Sequence, residues 1–365
     1  MVRGLVPGSV AAAIFAVWMV VSISAQGSSG ILSSEFIYEQ APFPSAHAST
    51  IAETKGALVA AWFGGTQEGA KDVSIWTARR VNGKWTTPVE VATGEQPDGT
   101  RHPCWNPVLF EMGGELTLFY KVGPSPQTWW GMRRTSRDGG VTWGAAERLP
   151  DGILGPIKNK PVRLADGTIV SPSSTETNTK PSIWRIHFER STDNGRTWTV
   201  VPVPHPEPSG TPGPQDGSIH PIQPSILVHG PARLQALGRS RAGRIFETWS
   251  EDAGKTWSTV ALTTLPNSST GTDAQTLQDG RHLLVYNHTP KGRTPLNVAI
   301  SRDGRSWEAA AVLENEPGEY SYPYVIQASD GLVHITYTWR RLRIKHVVLD
   351  PKALKTSPIV DGRWP

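Results

Sequence analysis

Two arginines that stand two residues apart, Arg239 and Arg241, are the first side chains in this sequence whose spacing suggests chemistry. Residues two apart on a β-strand face the same side, so we expect both guanidinium groups to project together. Two cations on one face repel each other unless an anion lies near them. A bound carboxylate meets this need, because the guanidinium fork binds it in a bidentate manner. An internal partner such as Glu247 is the alternative.

Three tyrosines with the same two-residue period follow near the C-terminus, Tyr320, Tyr322 and Tyr324. An aromatic stripe at strand spacing usually belongs to a hydrophobic core. A tyrosine hydroxyl beside a base can instead act as a nucleophile. The next strand alternates cations, including Arg341 and Arg343, with apolar residues, and we interpret it as a solvated face.

A repeat predicts the elements that position these groups. The pattern S-x-D-x-G-x-T-W occurs at 136–143, 191–198 and 250–257, and a version one residue shorter occurs at 301–307. The Asp side chain can accept backbone N–H groups and close a turn. Gly supplies the positive φ of a short hairpin connection, and Thr and Trp suit the returning strand. Each copy therefore predicts a hairpin tip that is closed by hydrogen bonds of its own side chains.

The spacing of these tips predicts the architecture. The repeat tryptophans fall at 143, 198, 257 and 307, and a degenerate tip at 82–85 extends the series backwards. Repeats of about 40–50 residues built from short strands are typical of a β-propeller. Five tips account for five blades, and strands in 322–350, closed by a strand near 36–41, supply a sixth. We therefore predict an all-β fold, a six-bladed β-propeller over residues 35–350.

Polar residues just before several predicted strands are expected to meet at one end of this propeller. The loop at 64–72, which carries Glu68 and Asp72, follows the first long strand. The other candidates for a sugar-binding edge are His47, Arg101, His102, Gln223, Asn287 and Arg293, with the lysines of 158–160 at a corresponding place. A packed loop with satisfied hydrogen bonds is the alternative interpretation for each of them.

The N-terminal segment predicts export. Arg3 precedes an apolar run at 10–21, and small residues follow it, so residues 1–25 are predicted to be a signal peptide. An uncleaved anchor is the alternative, although a spanning helix needs about 20 apolar residues. We expect a secreted or periplasmic protein without a stable membrane partner, with a linker at 26–34 and a C-terminal tail at 351–365.

Composition narrows the functional classes. The net charge of +4 permits acidic ligands and does not indicate a nucleic-acid binder. Cys104 is the single cysteine, so no internal disulfide can form. No metal-ligand spacing stands out, and we expect neither a metal nor another cofactor.

The Asp boxes, the six blades and the arginines ahead of successive boxes resemble the sialidase (neuraminidase) superfamily. The resemblance implies that Arg239 (or Arg241) and Arg293 belong to the arginine triad that binds the substrate carboxylate. It implies Tyr320 as the nucleophile of a retaining reaction and Asp72 as the acid/base. A neutral tyrosine suits a sialoside because a carboxylate nucleophile would be repelled by the carboxylate on the anomeric carbon. Asp72 would protonate the leaving oxygen and then activate water.

Two positions depart from the family pattern. The first blade of a sialidase begins with an Arg in an Arg-Ile-Pro motif, and this chain has His47 there. The Glu that activates the tyrosine has no secure match. The stretch before the arginines offers Gln223, which cannot act as a base, and Glu247 or Glu319 is the substitute.

The sequence therefore predicts an exo-glycosidase that hydrolyses terminal acidic sugars, sialic acid or a related one, from glycans. Two alternatives stay open. One is another enzyme on the same scaffold, such as a polysaccharide lyase acting on uronic acids with Tyr320 and His47 as base and acid. The other is a carbohydrate-binding propeller without turnover, because a fold does not determine function.

Overall fold

The computed structural model describes residues 1, 2, 4, 30–206 and 218–365, and every regular element in this part of the chain is a β-strand. The predicted signal peptide falls almost entirely outside the described residues. Among the residues that are described, no helix has the length and apolar character needed to cross a membrane.

The strands of the described chain form six antiparallel blades around one axis. The chain begins with β1 (Ile31–Phe36), which belongs to the last blade. Blade 1 contains β2 (Ser45–Thr54), β3 (Ala57–Gly65), β4 (Ser74–Val81), β5 (Lys84–Trp85) and β6 (Val89–Ala92). Blade 2 contains β7 (Cys104–Met112), β8 (Glu115–Val122), β9 (Trp130–Ser136) and β10 (Glu147–Arg148). Blade 3 contains β11 (Val162–Arg163), β12 (Ile169–Glu176), β13 (Trp184–Ser191) and β14 (Thr199–Pro202).

The second half of the ring continues the same order. Blade 4 contains β15 (Pro221–Val228), β16 (Leu234–Ser240), β17 (Arg244–Ser250) and β18 (Ala261–Pro266). Blade 5 contains β19 (Asp273–Thr276), β20 (His282–Tyr286), β21 (Leu296–Ser301) and β22 (Trp307–Glu314), and blade 6 contains β23 (Tyr320–Gln327), β24 (Val333–Trp339) and β25 (Arg343–Leu349). The last strand is β26 (Ser357–Pro358). The predicted all-β, six-bladed propeller is confirmed.

The N-terminal strand β1 closes the ring by pairing with β25 as the outer strand of blade 6. It lies at 31–36, five residues before the predicted position, and it includes residues 31–34 of the segment predicted as a linker. Glu35 Oε1 accepts hydrogen bonds from Arg80 Nε (3.0 Å) and Trp85 Nε1 (3.1 Å) of blade 1, and it contacts His346 Nδ1 (3.1 Å) of blade 6. One carboxylate therefore joins the last blade to the first.

Residues 351–365, predicted as a tail, pack against blade 5. β26 pairs with β22 and adds a fifth strand to that blade. The amide of Ile359 donates to the carbonyl of Trp307 (3.0 Å), and the Trp364 ring lies 5.2 Å from the ring of His288.

The four Asp boxes are hairpin tips between the third and fourth strands of blades 2–5, as predicted. Asp138 Oδ1 accepts the backbone N–H groups of Val141 (3.1 Å) and Thr142 (2.9 Å), and Oδ2 accepts the Thr142 hydroxyl (2.5 Å). Asp193, Asp252 and Asp303 accept the corresponding groups of their own boxes.

Each box also receives a side chain from the preceding blade, a contact that the sequence analysis did not predict. The donors are Arg79 to the Gly139 carbonyl (3.0 Å), Arg133 to Gly195 (3.2 Å), Arg190 to Ala253 (3.2 Å) and Gln235 to Gly304 (2.9 Å). The boxes therefore connect neighbouring blades in addition to closing their own hairpins.

A buried ion pair crosses the axis. The Asp273 carboxylate of blade 5 is fully buried. It accepts Lys160 Nζ of blade 3 (2.8 Å), the Ser225 hydroxyl of blade 4 (3.0 Å) and the Val325 amide of blade 6 (2.8 Å). Four of the six blades therefore meet at one carboxylate.

The box contacts predict a modest effect for Asp252→Ala. The substitution removes hydrogen bonds that close a tip on the rim, so the free energy of unfolding should fall by about 1–3 kcal/mol. Ligand binding at the axis should be unchanged. Chemical denaturation with a parallel binding assay measures both, and a large loss of binding with unchanged stability would contradict the structural role of the box.

The axial contacts predict a larger effect for Asp273→Asn. This substitution leaves the Lys160 ammonium buried without its counter-charge, and breaking a buried pair in this way costs about 3–5 kcal/mol. The denaturation midpoint should therefore fall further than for Asp252→Ala. Equal midpoints for the two variants would show that the axial pair contributes no more than a rim turn.

Candidate active site at one end of the axis

The inner strands of four blades carry a β-bulge near their first residues. At each bulge a non-glycine residue has a positive φ: Ala48 (55°), Asn106 (35°), Gln223 (55°) and Tyr322 (52°). Such a φ is unfavourable for residues with a Cβ, and bulges re-aim side chains at functional sites. The four bulges lie at corresponding positions, so they direct side chains to the same end of the axis.

Tyr322 is the centre of the group assembled there. Its hydroxyl accepts hydrogen bonds from Arg239 Nη2 (3.0 Å) and Gln223 Nε2 (3.3 Å). The His47 ring lies 4.1 Å from the Tyr322 ring, and Lys158 Nζ lies 5.7 Å from it. We call these five residues the axial cluster. They come from blades 1, 3, 4 and 6.

His47 is neutral in the axial cluster. Its ring is 1% exposed, and Nδ1 forms a hydrogen bond of 2.9 Å with Thr338 Oγ1. Burial, followed by the surrounding positive charges, lowers the pKa of His47 well below its usual value; these charges belong to Arg341, Arg293, Arg239 and Lys158. The position at which a sialidase carries its first arginine therefore holds an uncharged ring.

Lys158 is buried beneath Tyr322 and joins three blades. Its Nζ donates to Asn159 Oδ1 (2.8 Å), to the Thr272 carbonyl (2.9 Å) and to the Pro323 carbonyl. Burial lowers the pKa of Lys158 to about 7. The ammonium is therefore a titratable positive charge under the tyrosine ring.

Several buried polar atoms of the axial cluster have no hydrogen-bond partner within the described protein. They are His47 Nε2, Gln223 Oε1 and Arg239 Nε. Buried polar atoms are rarely left unpaired, because each one costs its desolvation energy. The described protein therefore leaves the hydrogen-bonding capacity of these three atoms unsatisfied.

A chain of charged side chains borders the axial cluster. Glu319 Oε1 accepts Arg293 Nη1 (2.7 Å) and Arg341 Nε (2.5 Å), and Arg341 Nη1 donates to Glu68 Oε2 (2.5 Å). Burial tends to raise the pKa of Glu319, but the hydrogen bond from Arg341 and the charges of Arg293 and Arg341 outweigh it, so the pKa is lowered. Two arginines thus converge on one ionised carboxylate.

Arg239 and Arg241 project together, as their spacing predicts. Their guanidinium carbons lie 5.2 Å and 3.9 Å from the centre of the Trp184 ring. Arg241 also donates to the Ser182 carbonyl (2.5 Å). Trp184 was not identified from the sequence, because a tryptophan at a strand start carries no local signal for a site.

Glu247 lies outside this end of the axis, which corrects both of its predicted roles. Its Oε2 accepts Gln235 Nε2 and Trp249 Nε1, each at 2.9 Å, on the third strand of blade 4. It is the partner of neither Arg239 nor Arg241 and cannot act as a base for the tyrosine. Gln235 and Trp249 fix it instead beside the box of blade 5.

Tyr320 does not reach the axial cluster, although the family resemblance selects it. Its ring is 1% exposed and packs in the apolar core shared by blades 5 and 6. Its hydroxyl accepts Arg340 Nη2 (3.3 Å). The bulge between Ser321 and Tyr324 interrupts the alternation of the strand and turns Tyr322 to the axis. A period-two pattern cannot show where a bulge falls.

Asp72 closes its own loop in the manner of a box aspartate. Its Oδ2 accepts the Thr66 amide (2.8 Å) and the Thr66 hydroxyl (2.5 Å). The side-chain hydrogen bond from Thr66 lowers the pKa of Asp72. A general acid needs to hold its proton near neutral pH, so this environment does not favour the predicted acid/base role, which stays a prediction.

The remaining predicted residues lie beside the axial cluster without touching it. Arg101 Nη2 donates to Ser74 Oγ (2.9 Å) and to the Asp72 carbonyl (3.3 Å), and the His102 ring packs edge-on against Trp130. Asn287 is buried and donates to the carbonyl of Tyr320 (3.0 Å), so it positions the backbone of β23.

A cavity of about 560 Å³ opens at the opposite end of the axis. It is lined by the last residues of the inner strands, among them Glu53, Glu111 and Gln327. Lys160 also lines it, while Lys158 contacts Tyr322, so the axial lysines divide the two ends. Nowhere in residues 30–206 or 218–365 do three or more His, Cys, Asp or Glu side chains group to hold a metal ion.

Three solved structures illustrate what the fold resembles. A protein of unknown function from Dyadobacter fermentans has a TM-score of 0.71 at 18% identity, over 87% of this chain and 98% of that one. The Hadza microbial sialidase Hz136 has a TM-score of 0.69 at 17% identity, over 86% and 67%. The intramolecular trans-sialidase from Ruminococcus gnavus has a TM-score of 0.66 at 14% identity, over 91% and 100%.

At these identities the likeness establishes a sialidase-like propeller fold and leaves the reaction open. No curated protein sequence matches the chain. The BNR repeat-like domain, in contrast, matches residues 56–335, a span that includes all four boxes and most of the axial cluster. The chain therefore belongs to the BNR repeat-like domain family.

Proposed function

We propose that this protein is a secreted exo-acting glycosidase that cleaves terminal acidic sugars from glycans, with Tyr322 as the reacting tyrosine. The observation that carries the proposal is the 3.0 Å contact between the Tyr322 hydroxyl and Arg239 in the axial cluster. Arg293 and Lys158 add further positive charge around it. An acidic sugar supplies the anion that such a group of cations favours.

Recognition of a carboxylate follows from the arginines. The Arg239 guanidinium has an Nε without a hydrogen-bond partner in addition to the Nη2 that contacts Tyr322. A carboxylate placed beside this edge would accept a charge-assisted bond and bring the neighbouring anomeric carbon close to the tyrosine oxygen. The Ruminococcus gnavus protein was crystallised with oseltamivir carboxylate, a ligand with the same functional group.

The tyrosine reaction needs a proton acceptor. Gln223 occupies the place next to Tyr322 that a carboxylate base would need, and an amide cannot take the proton. His47 is neutral and adjacent. When Nδ1 donates to Thr338, Nε2 carries a free lone pair and can accept the phenolic proton. Arg239 and Gln223 then stabilise the negative charge that develops on the tyrosine oxygen.

Elimination is a second candidate reaction, and Gln223 is the observation that favours it. A uronic acid linked through its C4 oxygen has a C–H bond at C5, next to its carboxylate. A base that removes this proton lets the glycosidic oxygen on C4 leave, protonated by the acid, with formation of a C4–C5 double bond. Gln223, as a hydrogen-bond donor, and Arg239 would stabilise the intermediate anion at the carboxylate. His47 would serve as the base and Tyr322 as the acid. This reaction requires no carboxylate partner for the tyrosine.

Product analysis on a panel of sialosides and uronic-acid glycosides distinguishes the two reactions. Hydrolysis should release a free acidic sugar that incorporates oxygen from labelled water. Elimination should release an unsaturated sugar that absorbs in the ultraviolet and contains no labelled oxygen. Binding of acidic glycans with neither product would show that the propeller binds without turnover.

A pair of tyrosine variants tests the assignment of Tyr322. Tyr322→Phe should reduce turnover by roughly 10³-fold or more, because it removes the reacting hydroxyl and keeps the ring. Tyr320→Phe should retain most activity, since Arg340 is the one hydrogen-bond partner of its hydroxyl among the described residues. Thermal melting of both variants controls for packing, and the opposite ranking of the two activities would restore Tyr320 as the nucleophile.

Substitution of Arg239 tests carboxylate recognition. Arg239→Ala should weaken binding of an acidic sugar by about 2–5 kcal/mol. Arg239→Lys should restore little, because a lysine lacks the bidentate fork. The matched amide of the sugar should bind the wild type poorly and respond little to either variant. Equal affinity of the wild type for acid and amide would remove Arg239 from carboxylate binding.

A further inference from the structure

The turn between β24 and β25 has an unusual sequence for its geometry. The Leu342 amide donates to the Trp339 carbonyl (3.0 Å), and both residues between them have a positive φ, Arg340 at 52° and Arg341 at 60°. Turns with two positive φ values favour Asn, Asp and Gly, because a larger side chain is strained there. Strain of this kind persists where the side chain has a function.

Arg341 lies next to the strand of blade 1 that carries the uncharged His47. Its carbonyl accepts the Ala46 amide (2.8 Å), which holds the turn against the strand that carries His47. Its positive charge is the first of the four that depress the pKa of His47. The alternation of cations with apolar residues around Arg341 predicts a solvated face, but its side chain is only 27% exposed and both of its side-chain contacts are carboxylates.

The two carboxylates bound to Arg341 differ in the number of their other hydrogen-bond partners. Glu319 is shared with Arg293 and accepts the Ser321 hydroxyl (3.3 Å). Glu68 belongs to the loop at 64–72, its side chain is 39% exposed, and Arg341 is the only hydrogen-bond partner found for it among the described residues. Glu68 is therefore the more readily replaced of the two.

We propose that Arg341 supplies the carboxylate-binding charge missing from blade 1, and that the acidic group of the ligand displaces Glu68 from it. The inference rests on the proposed function and adds the residue and the exchange by which the acid is bound. The Glu68–Arg341 ion pair is exchanged for an ion pair between Arg341 and the ligand. The observed affinity for the anion is therefore set by its competition with Glu68.

The exchange also releases the loop at 64–72. Thr66 and Asp72 close the base of this loop, and Gly69 lies over the Trp105 ring. The Glu68–Arg341 contact ties its tip to blade 6. When a ligand carboxylate takes the Arg341 guanidinium, the tip loses this contact, and Glu68 becomes a free carboxylate beside the bound sugar.

Arg343, two residues after Arg341, is a matched control. Arg343 also has a side chain that is 27% exposed, and it contacts Glu39 at 2.5 Å, as Arg341 contacts Glu68 at 2.5 Å. Arg343 stacks on Phe36 at the rim and lies outside the axial cluster. The experiment therefore compares Arg341→Ala with Arg343→Ala, and Glu68→Gln with Glu39→Gln.

Calorimetric titration with N-acetylneuraminic acid and with D-glucuronic acid, each beside its amide, measures the effect. Arg341→Ala should weaken binding of the preferred acid by roughly 30-fold or more, and Arg341→Lys should recover only part of the loss. Glu68→Gln should strengthen it several-fold by removing the competitor. Both control variants should stay within about threefold of the wild type, and the amides should respond to none of the substitutions.

Hydrogen exchange of the loop amides provides a second readout. In the wild type the acid should speed exchange at 64–72, and in Glu68→Gln the exchange should be fast without ligand. An unchanged affinity of Arg341→Ala, with melting close to that of the wild type, would overturn this inference while the acid-over-amide preference upheld the proposed function. Failure of the wild type to bind either acid would overturn both.

Discussion

The buried contact between Asp273 and Lys160 is the constraint on which the rest of the propeller depends. The carboxylate takes hydrogen bonds from three other blades, so the inner strands can meet in only one register. Removing one partner would leave the other charge buried without its counter-charge, which is costly. The ion pair therefore adds an electrostatic connection between blades to their hydrophobic packing.

The segment that carries Lys160 also positions the axial cluster. Lys158 lies two residues before Lys160 and takes carbonyls of blades 5 and 6 on the other side of the axis. The carbonyl it takes from blade 6 belongs to Pro323, the residue directly after Tyr322. The tyrosine backbone is therefore held by the same segment that forms the axial ion pair. A side chain held in this way needs little reorganisation when a ligand arrives.

The sequence was sufficient to predict the architecture and insufficient to predict which of the three tyrosines lies in the axial cluster. Box spacing predicted six blades, because a hairpin tip is a local event with fixed residue types. The sequence also predicted that Arg239, Arg293 and Gln223 lie at one end of the axis, since their place relative to a box can be counted. The position of Tyr322 in the axial cluster was not predicted, because a bulge depends on pairing with a distant strand.

Arg341 shows a different limit of sequence reasoning. Its alternation with apolar neighbours suggested an exposed strand, whereas the residue lies in a turn with a left-handed backbone. The three arginines and Gln235 that join blades 1–4 to the box of the following blade were likewise not predicted. Their partners are backbone carbonyls in another blade. Every residue has such a carbonyl, so the residue types do not show which one accepts a hydrogen bond.

The pairing of β1 with β25 has a consequence for synthesis of the protein. Glu35 and its partner His346 are 311 residues apart. At a translation rate of about 5–20 residues per second, the first strand waits roughly 15–60 s for the blade that it completes. Throughout that interval an unpaired edge is available for incorrect association. Pairing with β1 then covers the edge of β25 once blade 6 has been synthesised.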